Sequence, residues 1–104
     1  MRVEYLNNQL EKVCTDEATM RRKHSNIEKK LRVRLNALRQ ADNVRHLCTL
    51  DPLGKWHSVE SIHPGCWAGW TSRNHRIIFR PCEHDGALEA ATVVTVEAVD
   101  EDYH

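Results

Sequence analysis

The apolar residues between positions 25 and 41 set the first constraint on the fold. Ile27, Leu31, Leu35, Leu38 and Ala41 recur at i, i+4, i+8, i+11 and i+14. That spacing lines one face of an α-helix and would scatter over both faces of a strand. It predicts a helix over residues 25–40, with Ser25 and Glu28 in a capping-box pattern at its start. Lys29, Lys30, Arg32 and Arg39 fall mostly off the stripe. The apolar side is therefore core, and the charged back faces water or a partner.

The rest of the chain divides around this helix. Residues 2–6 read as a short strand with Val3 and Tyr5 on one face. Asn7 or Asn8 can cap a short helix ending near Cys14, and Thr15 or Asp16 a second one with Glu17 in its first turn. Residues 41–50 suit one more short helix, with Val44, Leu47 and Cys48 as its buried side. Asp51-Pro52-Leu53-Gly54 then breaks the chain. After it come extended segments: residues 56–59, a turn at His63-Pro64-Gly65, a strand over 66–71 and a strand over 74–80 stopped by Pro81. A turn follows at Asp85-Gly86, then a β-branched strand over 91–99. Short turns between strands favour antiparallel pairing. The expectation is one α+β domain over residues 1–104, its N-terminal strand and helices packed on one face of an antiparallel sheet.

Composition narrows the class. A chain of 104 residues with 29% charged and 40% apolar residues is one globular domain with one modest core. No apolar run approaches the roughly 18 residues of a membrane helix, and residues 1–10 lack a signal-peptide centre, so a cytoplasmic location and no membrane partner are expected. Cys14, Cys48, Cys66 and Cys82 form no C-x-x-C pair and read as free thiols. The zero net charge hides an asymmetry: residues 1–48 hold 11 Lys/Arg against 6 Asp/Glu, and residues 49–104 hold 4 against 9. Arg21, Arg22, Lys23, Lys29, Lys30, Arg32 and Arg34 concentrate the positive charge. They can hold a phosphate backbone or form a solvated helix face.

Several residues could carry chemistry. Arg76 and Arg80 flank Ile78 at strand spacing and share one face, while His75, Ile77 and Phe79 share the other. Two guanidinium groups on a rigid strand can grip a phosphate; the alternative is ion pairs with acids such as Glu97 on a neighbouring strand. The end of the chain, Asp100-Glu101-Asp102-Tyr103-His104, offers carboxylates, a phenol and an imidazole, or a solvated tail. His57 lies on an extended segment. His63-x-x-Cys66 and Cys82-x-His84 do not reproduce a zinc-ligand spacing, so no metal is expected. Trp56, Trp67 and Trp70 are core residues or stacking platforms for RNA bases.

These segments together resemble the HigB/RelE-type toxins of bacterial toxin–antitoxin pairs, the plasmid maintenance killer proteins. The resemblance rests on Val3-Glu4-Tyr5, on residues 10–15 (Leu-Glu-Lys-Val-Cys-Thr), on residues 38–43 (Leu-Arg-Gln-Ala-Asp-Asn), on Trp56-His57-Ser58-Val59, Trp67-Ala68 and Arg76-Ile77-Ile78-Phe79, and on the ending Asp102-Tyr103-His104. It implies a RelE-like fold and ribosome-dependent mRNA cleavage without metal or cofactor. The implied partners are mRNA, the 70S ribosome and a cognate helix-turn-helix antitoxin. Carried over, His57 and His104 are acid/base candidates, Tyr103 assists, Asp102 orients an imidazole and Arg76 holds the phosphate. Arg80 adds charge; apart from the resemblance, the charge cluster alone makes Lys29, Lys30, Arg32 and Arg34 candidates for phosphate-backbone contacts. The sequence departs from the pattern where Glu60 and Ser61 stand for a lysine and a glycine, and where His75 replaces an aromatic residue. Those departures leave a second expectation open: a binding module of the same fold without nuclease activity, acting through antitoxin binding or on a target such as gyrase in the manner of the ParE toxins.

Overall fold

The computed structural model describes residues 1–82 and 86–102. The chain begins with β1 (Arg2–Tyr5) and continues through four helices, α1 (Asn8–Thr15), α2 (Glu17–Lys23), α3 (Glu28–Gln40) and α4 (Val44–Leu50). A 3-10 turn (Pro52–Gly54) leads into β2 (His57–Ser58), β3 (Trp67–Ser72) and β4 (His75–Cys82). A second 3-10 turn (Leu88–Ala90) precedes β5 (Val93–Asp102).

Caps place the short helices. The Asn7 side chain accepts from the Leu10 amide, Asp16 from Thr19 and Asn43 from His46, each satisfying an amide that the helix start leaves open. Ser25 and Glu28 form no such box. Ile27 occupies the cap position of α3 with no side-chain cap, because it is buried in the core at 2% exposure. Glu28 instead pairs with Arg21 and Arg32. The apolar stripe holds: Leu31, Leu35 and Leu38 are fully enclosed. On α4, Val44 and Leu47 are buried but Cys48 is exposed; a two-turn helix buries its i, i+3 pair and leaves the next position on the rim.

The strands form one sheet in the order β1-β5-β4-β3-β2. The sheet is mixed, not antiparallel throughout: β1 runs parallel to β5, from Arg2 opposite Val93 to Tyr5 opposite Val96. Four helices separate β1 from the other strands, which is the long connection that parallel pairing requires. β4 also runs on through Pro81 to Cys82. Its pairing with β3 reaches only Phe79, so Pro81 has a strand neighbour on one side alone, where a missing amide is tolerated. The helices cover one face of the sheet. The main core there joins Leu31, Leu35, Leu38, Val44 and Leu47 to Trp56, Trp67, Ile77, Phe79, Val94 and Val96.

Arg34 corrects the expectation of a charged outer helix face. It is 3% exposed. Its guanidinium donates to Asp51 Oδ1 and Oδ2 at 3.1 and 3.2 Å, to the Trp70 carbonyl at 2.7 Å and to the Leu53 carbonyl at 3.1 Å. Asp51 also accepts from Trp56 Nε1 at 3.1 Å. The pair is saturated on both sides, as a buried charge must be, so Arg34 is unavailable to a phosphate. Removing one partner of such a pair leaves the other charge stranded. Arg34→Ala should therefore lower unfolding free energy by about 3–5 kcal/mol, whereas Lys29→Ala on the exposed side should change it by under about 0.5 kcal/mol. Urea titration followed by circular dichroism measures both.

Candidate functional site

The sheet face away from the helices carries a smaller apolar cluster of Val59, Cys66, Ala68 and Ile78, with Ala98 against it. None of its members is helical. Two cross-strand rows organise this face. His57 pairs with Ala68, Ala68 with Ile78 and Ile78 with Ala98. The next row is Trp70, Arg76 and Glu101; the row beyond it, Ser72, His75 and Asp102, turns His75 and Asp102 to the opposite face by alternation. Arg76, Ile78 and Arg80 share this face, as strand alternation requires.

The second row depends on two irregularities in β5: from Ile78 to Arg76, two steps on β4 span three on β5, from Ala98 to Glu101, and a further shift lies just before Ala98. One step on β4, from Ile78 to Phe79, spans two steps on β5, from Ala98 to Val96. Glu97 is the extra residue, as in a β-bulge. Its carboxylate accepts from Arg80 Nε at 2.8 Å and lies 3.7 Å from Cys66 Sγ. Arg80 also donates to the Pro64 carbonyl at 3.0 Å. Of the two readings for Arg80, the ion pair with Glu97 is the one observed, and it ties the turn after β2 to the centre of the face.

A second acid follows on the same strand. Glu101, the partner of Arg76, lies 2.8 Å from His63 Nε2. His63 is held by the turn it sits in: its amide donates to the Val59 carbonyl, and its own carbonyl accepts from Cys66. The arrangement is an imidazole with a carboxylate partner beside an arginine, which is suited to proton transfer next to a bound phosphate. The sequence put His63 in a turn, but nothing local pairs it with a carboxylate 38 positions away.

The expected site residues divide among these positions. His57 is exposed on β2, with Nδ1 2.8 Å from the Lys55 carbonyl. It lies on the Arg76 face but two strands away, roughly 10 Å across the sheet. Arg76 is half-buried and donates to the Ser72 and His75 carbonyls at 2.8 Å. Asp102 lies 3.8 Å from His75 Nε2, and His75 Nδ1 meets Ser72 Oγ at 2.7 Å. Asp102 thus has an imidazole to orient, that of His75. Tyr103 and His104 lie outside the described residues, as do His84 and Asp85. Glu60, the departure from the resemblance, turns its carboxylate onto the Gly65 amide at 2.7 Å. Its charge is taken up in the turn. Lys29 and Lys30 are exposed on α3. Arg32 bridges Glu28 and Glu17, and Arg34 is buried, so these four cations of α3 do not form one surface.

No family model matches the chain, and no curated protein matches it. Among solved structures, a YoeB/ParE toxin from Agrobacterium tumefaciens shares the fold, with a TM-score of 0.50 and 14% identity over 100% of this chain and 99% of that one. The fold is thus that of the RelE/ParE-like toxins. No helix among the described residues is long and apolar enough to cross a membrane.

All four cysteines are free thiols. Burial pushes the Cys66 thiol up to about 11, with the Glu97 carboxylate acting in the same direction. Burial pushes Cys14 up to about 11 as well, against the opposing charge of Arg39. The folded state holds these protons more tightly than the unfolded chain, so their contribution to stability is complete below about pH 9 and is lost as pH rises toward 11. Melting temperature should fall between pH 9 and 11, and Cys66→Ala should shallow that slope. An equal slope in the variant, read by thermal denaturation across the range, would contradict the assignment.

Proposed function

We propose that this chain is the toxin of a toxin–antitoxin pair and that it cleaves mRNA on the ribosome at the uncovered sheet face. The reading is carried by the convergence of Arg76, Glu101 and His63 on a face free of helices, in a chain with the fold of known toxins. In such cleavage the RNA 2′-hydroxyl attacks the adjacent phosphate and the 5′-oxygen of the next nucleotide leaves. One group takes the proton of the attacking hydroxyl, another gives a proton to the leaving oxygen, and a cation stabilises the charge that builds on phosphorus.

Arg76 is the phosphate holder. Its guanidinium stays charged at every working pH and presents a fork to phosphate oxygens. His63, with Glu101 behind it, joins His57 and His104 as an acid/base group. Asp102 orients His75, Tyr103 assists, and Arg80, fixed by Glu97, adds positive charge from the side. Lys29, Lys30 and Arg32 contribute backbone contacts at a distance from the chemistry. A cognate helix-turn-helix antitoxin, mRNA and the 70S ribosome are the partners. The reaction draws on these side chains and uses no metal or cofactor, and its setting is the cytoplasm.

The test is inducible expression in a bacterium without antitoxin. The intact chain should arrest growth. Arg76→Ala, His104→Ala and His63→Gln should each relieve the arrest, because loss of an acid/base group costs about 10²–10⁴-fold in rate. Glu60→Gln should leave it in place. Full toxicity in Arg76→Ala and His63→Gln together would show that the site is wrongly assigned.

A further inference from the structure

Trp56 and Trp67 are buried at 7% and 8% exposure, but Trp70 is only half-buried. It lies on β3 past the end of β2, whose pairing stops at Ala68. At Trp70 this side of the sheet has no strand neighbour. Lys30 Nζ sits 5.1 Å and Lys55 Nζ 5.9 Å from the indole centroid, within cation–π range. Lys55 is the one non-glycine residue with positive φ among those described, at 49°. A left-handed lysine costs on the order of 1 kcal/mol, and it is retained at the residue whose ammonium lies over the ring.

Beside the indole is a pocket of about 290 Å³ lined by Lys30, Arg34, Leu53, Lys55 and Trp70. A second of about 280 Å³ adjoins it, sharing Lys30, Arg34 and Leu53 and adding Lys29 and Val33. Leu53 is 73% exposed and Val33 54%. No carboxylate is among the described residues that line either pocket. Asp51 answers the charge of Arg34, but Lys29, Lys30 and Lys55 have no such partner in the lining. The surface thus combines an open indole, an aliphatic wall and three ammonium groups.

We propose that this slot holds an unpaired base of single-stranded RNA against Trp70 and Leu53, with Lys29, Lys30 and Lys55 on the flanking phosphates. A flat apolar slot edged by cations matches a nucleotide, whose base has a stackable face and whose backbone is anionic. Trp70 is also the β3 partner of Arg76, but the slot's other wall is α3, so it opens at the β3 edge and not on the face that carries Arg76. The inference deepens the RNA reading of that face, but binding here does not require cleavage there.

The test uses the full chain and a 2′-O-methyl RNA octamer of mixed sequence, in which the attacking hydroxyl is blocked. Binding should quench tryptophan fluorescence, and Trp70→Leu should remove the quench and weaken affinity about ten-fold. Lys30→Gln and Lys55→Gln, both exposed changes, should each lower the dependence of log affinity on log salt by about 0.7. Equal quench and affinity in Trp70→Leu, unchanged salt slopes in both lysine variants, or equal quenching by polyglutamate would overturn the slot. So would no binding by the intact chain. None of these results bears on growth arrest through Arg76, which is read in a separate assay.

Discussion

The ion pair between Arg34 and Asp51 is the contact on which the arrangement of the molecule rests. It joins α3 to the turn after α4, to the β3 backbone at Trp70 and, through Trp56, to the entry of β2. Those segments are distant in sequence and are otherwise held by apolar packing that carries no direction. A guanidinium with four filled hydrogen bonds supplies direction, because its fork is planar and its partners must lie in that plane. The surroundings are built closely around it: a Cβ on Gly54 would meet Trp56 Nε1 at 2.3 Å and Asp51 Oδ2 at 2.8 Å. The pair thereby sets where β2 carries His57 and where Trp70 meets the lysines.

A second constraint acts from the far end of the sheet. Three consecutive acids of β5 each face a histidine from a different segment: Asp100 faces His24 after α2, Glu101 faces His63 in the β2–β3 turn, and Asp102 faces His75 on β4. Two irregularities in β5 set this phase: the bulge at Glu97 turns its carboxylate toward Arg80, and a second shift between Ala98 and Glu101 brings Glu101 opposite Arg76. The acidic end of β5 is therefore built into the sheet as far as Asp102, with Glu97 and Glu101 on the uncovered face and Asp100 and Asp102 on the opposite one.

The parts legible in the sequence are those with a local signature. The stripe of α3, the caps to within one residue (Asn7 or Asn8, Thr15 or Asp16), and the shared face of Arg76 and Arg80 follow from periodicity and side-chain chemistry alone. The missed parts arise from long-range contacts. Arg34 falls within the stripe, between Ile27 and Ala41 on the helical wheel, so its burial follows from the period, but its partner Asp51 is 17 positions away and no local signal names it. The parallel place of β1 depends on how four helices fold back. The pairing of His63 with Glu101 needs a turn and two register shifts in β5, and neither spacing nor composition marks those shifts. The resemblance to the HigB/RelE toxins gave a fold that a solved toxin shares, but its lysine position, filled by Glu60, says nothing of the histidine that stands near Arg76's partner.

The most direct measurement is the mapping of mRNA 5′ ends in cells after expression of the chain stops growth. The account predicts new ends at a fixed position within codons, confined to translated messages and absent when Arg76 is replaced by alanine. Growth arrest with intact messages would contradict it and would mean that this toxin fold acts by binding alone.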